Sequence, residues 1–166
     1  INERKIPYKL KINEILIIFS ITLTIITIIS GGFMAGTNAG QSFNTFPLMN
    51  GKIIPEDYYL RDLGIFNFFE NIVAINFNHR WLASITFIYT LSYFSYSALS
   101  NNKQVHKIFD CLVIFLLIVQ FFLGILTLLT NVNINYASLH QTNSVLLLSS
   151  LLLNYHQYKI NNQIIK

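Results

Sequence analysis

Charge and cysteine are both scarce in this chain. Of its 166 residues only 11% are Asp, Glu, Lys or Arg, against about 25% in an ordinary soluble domain. The lone Cys111 excludes a disulfide framework and any zinc or iron–sulfur site built on cysteines. Three prolines and seven glycines exclude collagen-like repeats and Pro-rich disorder. What is abundant is apolar: 53% of the residues are hydrophobic and the mean hydropathy is +0.50. A membrane protein remains. The net charge of +4 and pI near 9.2 would suggest nucleic acid in a soluble protein, but here the basic residues sit in short stretches between apolar runs. There they set topology, and no nucleic-acid partner is expected. The chain begins at Ile1, which points to a fragment or a processed product.

Four apolar runs organise the rest. A helix needs roughly 20 mostly apolar residues to cross about 30 Å of hydrocarbon, and such runs fall at about 15–36, 79–99, 108–130 and 137–157. The basic flank Arg4, Lys5, Lys9 and Lys11 before the first run, with the Gly31–Ala35 stretch at its end as a cleavage site, has the outline of a signal peptide. The length of the run and the three that follow favour a span. Lys103, Lys107, Lys159 and Lys166 share a side with the basic flank. The other side holds Lys52, Arg61 and Arg80 offset by Glu56, Asp57, Asp62 and Glu70. Both termini are therefore expected on the cytoplasmic or matrix side. Trp81 and Tyr136 mark the outer interface; Tyr96, Tyr155 and Tyr158 mark the inner. Short connections at 100–107 and 131–136 make the last three helices antiparallel neighbours. The expected fold is all-α, an integral membrane four-helix bundle in one domain. Its long outer loop, 37–78, includes a possible amphipathic helix around 60–70.

Topology divides the four histidines. His106, in the inner loop, and His156, at the inner end of the last helix, read as ordinary interfacial side chains. His79 opens the second helix and His140 lies about one turn inside the fourth, so antiparallel counting brings both to one depth at the outer end. Ionisable side chains within spans need partners, which makes this pair a candidate site. Two neutral imidazoles with no nearby cysteine or carboxylate suit the axial positions of a haem iron better than tetrahedral zinc. Arg80 would then meet a propionate through its planar fork or simply snorkel to headgroups. Gln141, Asn143 and Ser144 are candidates to fix the His140 ring. Gly32, Gly36 and Gly124 are candidates for close helix or ligand approach. Gln120 and Thr127 could bond across helices.

The strings GGFMAGTNAGQSFNTFPLMNG at 31–51, IP at 54–55, NFFEN at 67–71, FNHRWLA at 77–83, QFFLGILTLLT at 120–130 and ASLHQ at 137–141 together resemble the haem A synthase family in its alphaproteobacterial and mitochondrial form. The resemblance implies a membrane oxidoreductase that converts haem O to haem A by two successive hydroxylations of the C8 methyl group, for cytochrome oxidase. Family members have eight helices in two similar halves, and this chain matches the C-terminal half. By resemblance His79 and His140 are the axial ligands of a haem b, and Glu70 is a weak catalytic candidate, matched in motif but not in role. A haem with imidazole on both faces has no open position, so it would transfer electrons or stabilise the fold, and the reacting methyl would be presented elsewhere. The implied partners are lipid, haem O, the N-terminal half or a second copy, and haem O synthase. A bacterial inner membrane is favoured over the mitochondrial one. A small bis-histidine b-type cytochrome, acting as electron carrier or anchor subunit, and a haem-free scaffold are the alternatives.

Overall fold

The computed structural model describes residues 11–100 and 104–163. Arg4, Lys5, Lys9, Lys103 and Lys166, on which the expected orientation partly rests, lie outside the described residues. Among the described residues there is no strand. The helices are α1 (Ile12–Gly36), α2 (Asn67–Glu70), α3 (Ile72–Ser100), α4 (Gln104–Leu129) and α5 (Ile134–Gln163).

The ends of these helices follow from local chemistry. In α1 the Glu14 carboxylate accepts the backbone N–H of Lys11 at 3.2 Å, satisfying a donor in the positive first turn. Asn71 caps α3 by accepting the Val73 N–H at 2.9 Å, and Asn133 does the same for the Asn135 N–H at 3.0 Å before α5. After α4 the chain turns through Asn131 and Val132, both left-handed, and the Val132 N–H closes onto the Thr127 carbonyl at 2.8 Å.

Three expectations are corrected here. His79 lies two turns inside α3 because the capped helix starts seven residues earlier, at Ile72, and His140 lies nearly two turns inside α5. His106 is not in a loop: it sits in the first turn of α4, buried, with its ring 5.7 Å from that of Tyr158. The expected amphipathic helix at 60–70 is a 3-10 stretch at Arg61–Phe66, broken at Gly64, followed by the single turn α2.

Helix α1 packs on α3 and α5, and α4 packs on α3 and α5. The Asn13 amide donates to the Tyr158 hydroxyl at 2.7 Å, so the first turn of α1 and the last turns of α5 share one end. The faces are inverted relative to a soluble protein. Buried positions on α4 include His106, Asp110, Val113, Leu117 and Leu128, whereas Ile108, Leu112, Phe115, Ile118, Phe122, Leu126 and Leu129 are exposed. Helix α1 likewise buries Glu14, Ser20 and Thr24 and exposes Phe19, Ile25, Ile26, Ile29 and Phe33. An apolar outer stripe over a polar inner one suits hydrocarbon as solvent. By length and composition α1 and α4 are apolar enough to cross a membrane. Helices α3 and α5 have lower mean hydropathy because they carry three of the four histidines and most of the inward Asn, Ser and Thr side chains.

The middle of the interior is apolar, with Ile17, Phe94, Val113, Leu117, Leu147 and Leu151 in mutual contact. One end is closed by a buried knot. The Asp110 carboxylate accepts from the Ser97 hydroxyl and the Asn154 amide, each at 2.7 Å, tying α3, α4 and α5 together. Sequence reasoning singles out no acid within the apolar runs, yet Asp110 lies inside the third. Its presence in a span was itself the signal.

Candidate functional site

The outer loop is fastened by amides and one guanidinium. Asn76 donates to the Ala39 carbonyl at 2.7 Å and accepts from Arg80 Nε at 2.6 Å. The other Arg80 nitrogens donate to the carbonyls of Thr45 at 2.7 Å and Phe43 at 2.6 Å. Asn44 reaches across to the Leu128 carbonyl at 2.9 Å. Asn67 donates to the Tyr58 carbonyl at 2.9 Å and Asn71 to that of Asp57 at 2.7 Å. Asn67 and Asn71 of NFFEN, together with Asn76 and Arg80, thus hold the loop over one end of the helices. Glu70 is exposed on α2, outside this set of anchors.

Under the loop lie two niches. His79, on α3, is set against Gly31 of α1: a methyl group at Gly31 would come 3.3 Å from the His79 Cε1. His140, on α5, is set against Gly124 of α4, where a methyl group would come 3.0 Å from Cε1 and 3.5 Å from Nδ1. In each pair an apolar helix supplies the glycine and its more polar neighbour the imidazole. The two rings lie within electrostatic range of each other. Of the glycines expected to matter, only Gly124 does so. Gly32 and Gly36 face outward with open space where a side chain would be, and Gly31 takes the role.

The niches differ in hydrogen bonding. His140 Nδ1 is 3.1 Å from the Gln120 carbonyl, and the Gln120 amide nitrogen is 3.4 Å from His140 Nε2. The Gln120 side-chain oxygen accepts from Asn143 at 2.8 Å, and Asn143 also donates to the Leu116 carbonyl at 3.0 Å. His79 Nδ1 is buried with no hydrogen-bond partner. Of the residues expected to fix the His140 ring, Asn143 does so through Gln120. The Ser144 hydroxyl instead bonds the Gln141 carbonyl of its own helix at 2.6 Å, and Gln141 is exposed. Thr127 bonds its own helix at Leu123, 2.8 Å, rather than crossing to another. His156 and Cys111 are exposed, and Cys111 has no part in either niche.

Among the described residues no three His, Cys, Asp or Glu side chains gather as a metal-holding group. The donor set at this end is two imidazoles, each with a glycine beside it and neither with a carboxylate. Two imidazoles without a third donor fall short of the four ligands of a tetrahedral ion.

A family model described as cytochrome oxidase assembly protein, COX15-CtaA, matches residues 2–152. The haem A synthase of Nitrosomonas eutropha is 36% identical over 131 residues, 78% of this chain and 36% of that protein. The haem A synthase of Pelagibacter ubique is 37% identical over 142 residues, 84% of this chain and 41% of that protein. For Granulibacter bethesdensis the figures are 38% over 137 residues, 82% and 35%. The chain therefore spans well under half the length of these curated relatives. No solved structure gives a significant match.

Proposed function

The chain belongs to the COX15-CtaA family of cytochrome oxidase assembly proteins, and on that premise we propose that it is the haem b-holding, C-terminal half of a haem A synthase. In this reading α1, α3, α4 and α5 close into a four-helix bundle that spans a membrane, the bacterial inner membrane in preference to the mitochondrial one. Both termini face the cytoplasm or matrix, and the histidine niches open toward the other side. The whole enzyme converts haem O to haem A by oxidising a methyl group twice.

The observation that carries the reading is the pair of glycine-seated imidazoles at one end of the interior. A porphyrin is a flat apolar plate that requires close backbone approach, two ring nitrogens and no competing carboxylate, and these residues fit it. His140 Nδ1 faces a carbonyl, which can only accept, so the proton sits on Nδ1 and the Nε2 lone pair is left for a metal. The buried, partnerless nitrogen of His79 has a reason to exist if the ring is oriented by iron rather than by protein. His79 and His140 would hold the iron. Bound there, the haem supplies one-electron transfer. The residues around it exclude water, and the Gln120 carbonyl fixes the orientation of the His140 ring. Arg80 commits three N–H groups to the loop and Asn76, leaving two for a propionate. With both axial positions filled, the reacting methyl must be presented by another part of the enzyme, the N-terminal half or a second copy. Haem O synthase is a natural supplier of substrate.

The test is a reduced-minus-oxidised spectrum of the purified chain in detergent, which should show a low-spin b-type haem that disappears when His79 and His140 are both replaced by alanine. An unchanged spectrum in the double variant would sink the assignment. Co-expression with an N-terminal half, followed by mass analysis of extracted pigment, should yield haem A only when both are present. A low-spin spectrum with no haem A in either case would favour the electron-carrier alternative.

A further inference from the structure

We propose that the two imidazoles are unequal ligands: His140, held by Gln120 and seated on Gly124, is the permanent one, and His79 is the one that exchanges. The proposal rests on the reading above, that a single haem iron lies between them, and it adds which side of that iron can open.

The asymmetry lies in what stands behind each ring. A ligating imidazole is oriented, and made a stronger donor, by the hydrogen bond its other nitrogen gives. His140 has that bond, from Nδ1 to the Gln120 carbonyl at 3.1 Å, on a helix backbone that cannot swing away. The Gln120 side-chain amide faces Nε2 at 3.4 Å, a long contact readily displaced by a metal, and Asn143 keeps that amide in place. The fit is also tight, since Gly124 leaves room for hydrogen and nothing more. His79 has no such bond. Its Nδ1 is buried without a partner, and a methyl group at Gly31 would meet the ring at 3.3 Å, against 3.0 Å for one at Gly124. No hydrogen bond at Nδ1 sets the angle of the His79 ring.

Exchange is therefore expected on the α1/α3 side. With a ferrous haem held there, a small neutral molecule such as carbon monoxide would take the place of the His79 imidazole, which would leave with its own electron pair. No net oxidation or reduction accompanies the step. Gln120 is a positioning residue in this scheme, acting through His140.

The experiment uses the chain loaded with haem b, reduced, and read by absorption and by potentiometry. His79→Ala should keep its haem as a high-spin form, bind carbon monoxide more tightly than the unaltered chain, and return to a low-spin spectrum when free imidazole is added. His140→Ala should retain about tenfold less haem. Gly124→Ala, which drives a methyl group into the His140 ring, should raise the midpoint potential and lower retention by more than Gly31→Ala does. Rescue by imidazole and a shift in potential are signatures that a merely structural role would not produce. Equal retention in the two histidine variants, or loss confined to His79→Ala, overturns the asymmetry while leaving the shared haem intact. If the unaltered chain takes up no haem b, the parent reading and this one fall together.

Discussion

The α1/α3 niche and the α4/α5 niche repeat one device with one part missing. In each, a glycine on an apolar helix makes space for an imidazole on its neighbour, yet only the α4/α5 niche adds a hydrogen bond to the ring. Space and orientation are thus separate requirements, met by different residues. A glycine removes an obstacle and leaves the ring free to turn; a fixed carbonyl selects the tautomer and stops it. The residues that follow the histidines differ in the opposite sense. Arg80, after His79, donates three of its five N–H groups to the loop and to Asn76, whereas Gln141, after His140, is exposed.

That last contrast predicts the largest effect. Arg80→Ala removes three charge-assisted hydrogen bonds and should destabilise the protein by about 2–4 kcal/mol, with faster amide exchange at residues 43–45. Gln141→Ala should stay within about 0.5 kcal/mol, and a comparable loss there would erase the distinction. Next come the glycines. Alanine in a helix gains about 1 kcal/mol over glycine, while overpacking costs about 1–3 kcal/mol. At Gly124, with the tighter contact, melting in detergent should show net destabilisation; at Gly31 the two contributions should nearly cancel. Reversal of that order would mean the His79 niche is the rigid one.

Smaller again is the difference in cross-helix bonding. Asn143→Ala strips a partner from Gln120 and from the Leu116 carbonyl and should cost about 1–2 kcal/mol. Thr86→Val breaks only the 2.8 Å contact between the Thr27 and Thr86 hydroxyls on the α1/α3 side and should cost about 0.6 kcal/mol. A pH baseline completes the series. The hydrogen bond and charge of Lys52 hold the Glu56 carboxyl below its ordinary value of 4.5. A depressed carboxylate stabilises the fold above its unfolded value and loses that contribution as pH falls through the folded one. Because the pair is exposed, acidification from pH 7 to about 4 should barely move the melting temperature, and Lys52→Met should remove what slope there is.

The long helices, the outer loop and the histidine pair are all legible in the sequence, because runs of apolar residues and a charged residue inside one are coarse signals. The family is legible for another reason: strings such as GTNAG and NFFEN lie outside the apolar runs, where hydrophobic composition imposes no likeness. The facing of single residues is harder. Neighbours on a helix point about 100° apart, and hydropathy cannot fix the phase finely enough to prefer Gly31 over Gly32. Asp110 stands in plain view inside the third run, but its partners Ser97 and Asn154 lie on other helices and nothing in the run names them. The loop asparagines are fasteners for backbone carbonyls, a role that depends on carbonyls far away in sequence.

The Asp110 knot sets a distance. From its Asn154 partner to His140 is fourteen residues along α5, and from Asp110 to Gly124 is the same stride along α4, about 21 Å in either direction of counting. Pinned together at that far end, the antiparallel pair must deliver glycine and imidazole to the same height, and a slip of one turn would separate them. The buried acid works as the zero mark of a ruler whose reading is taken at the opposite end of the molecule.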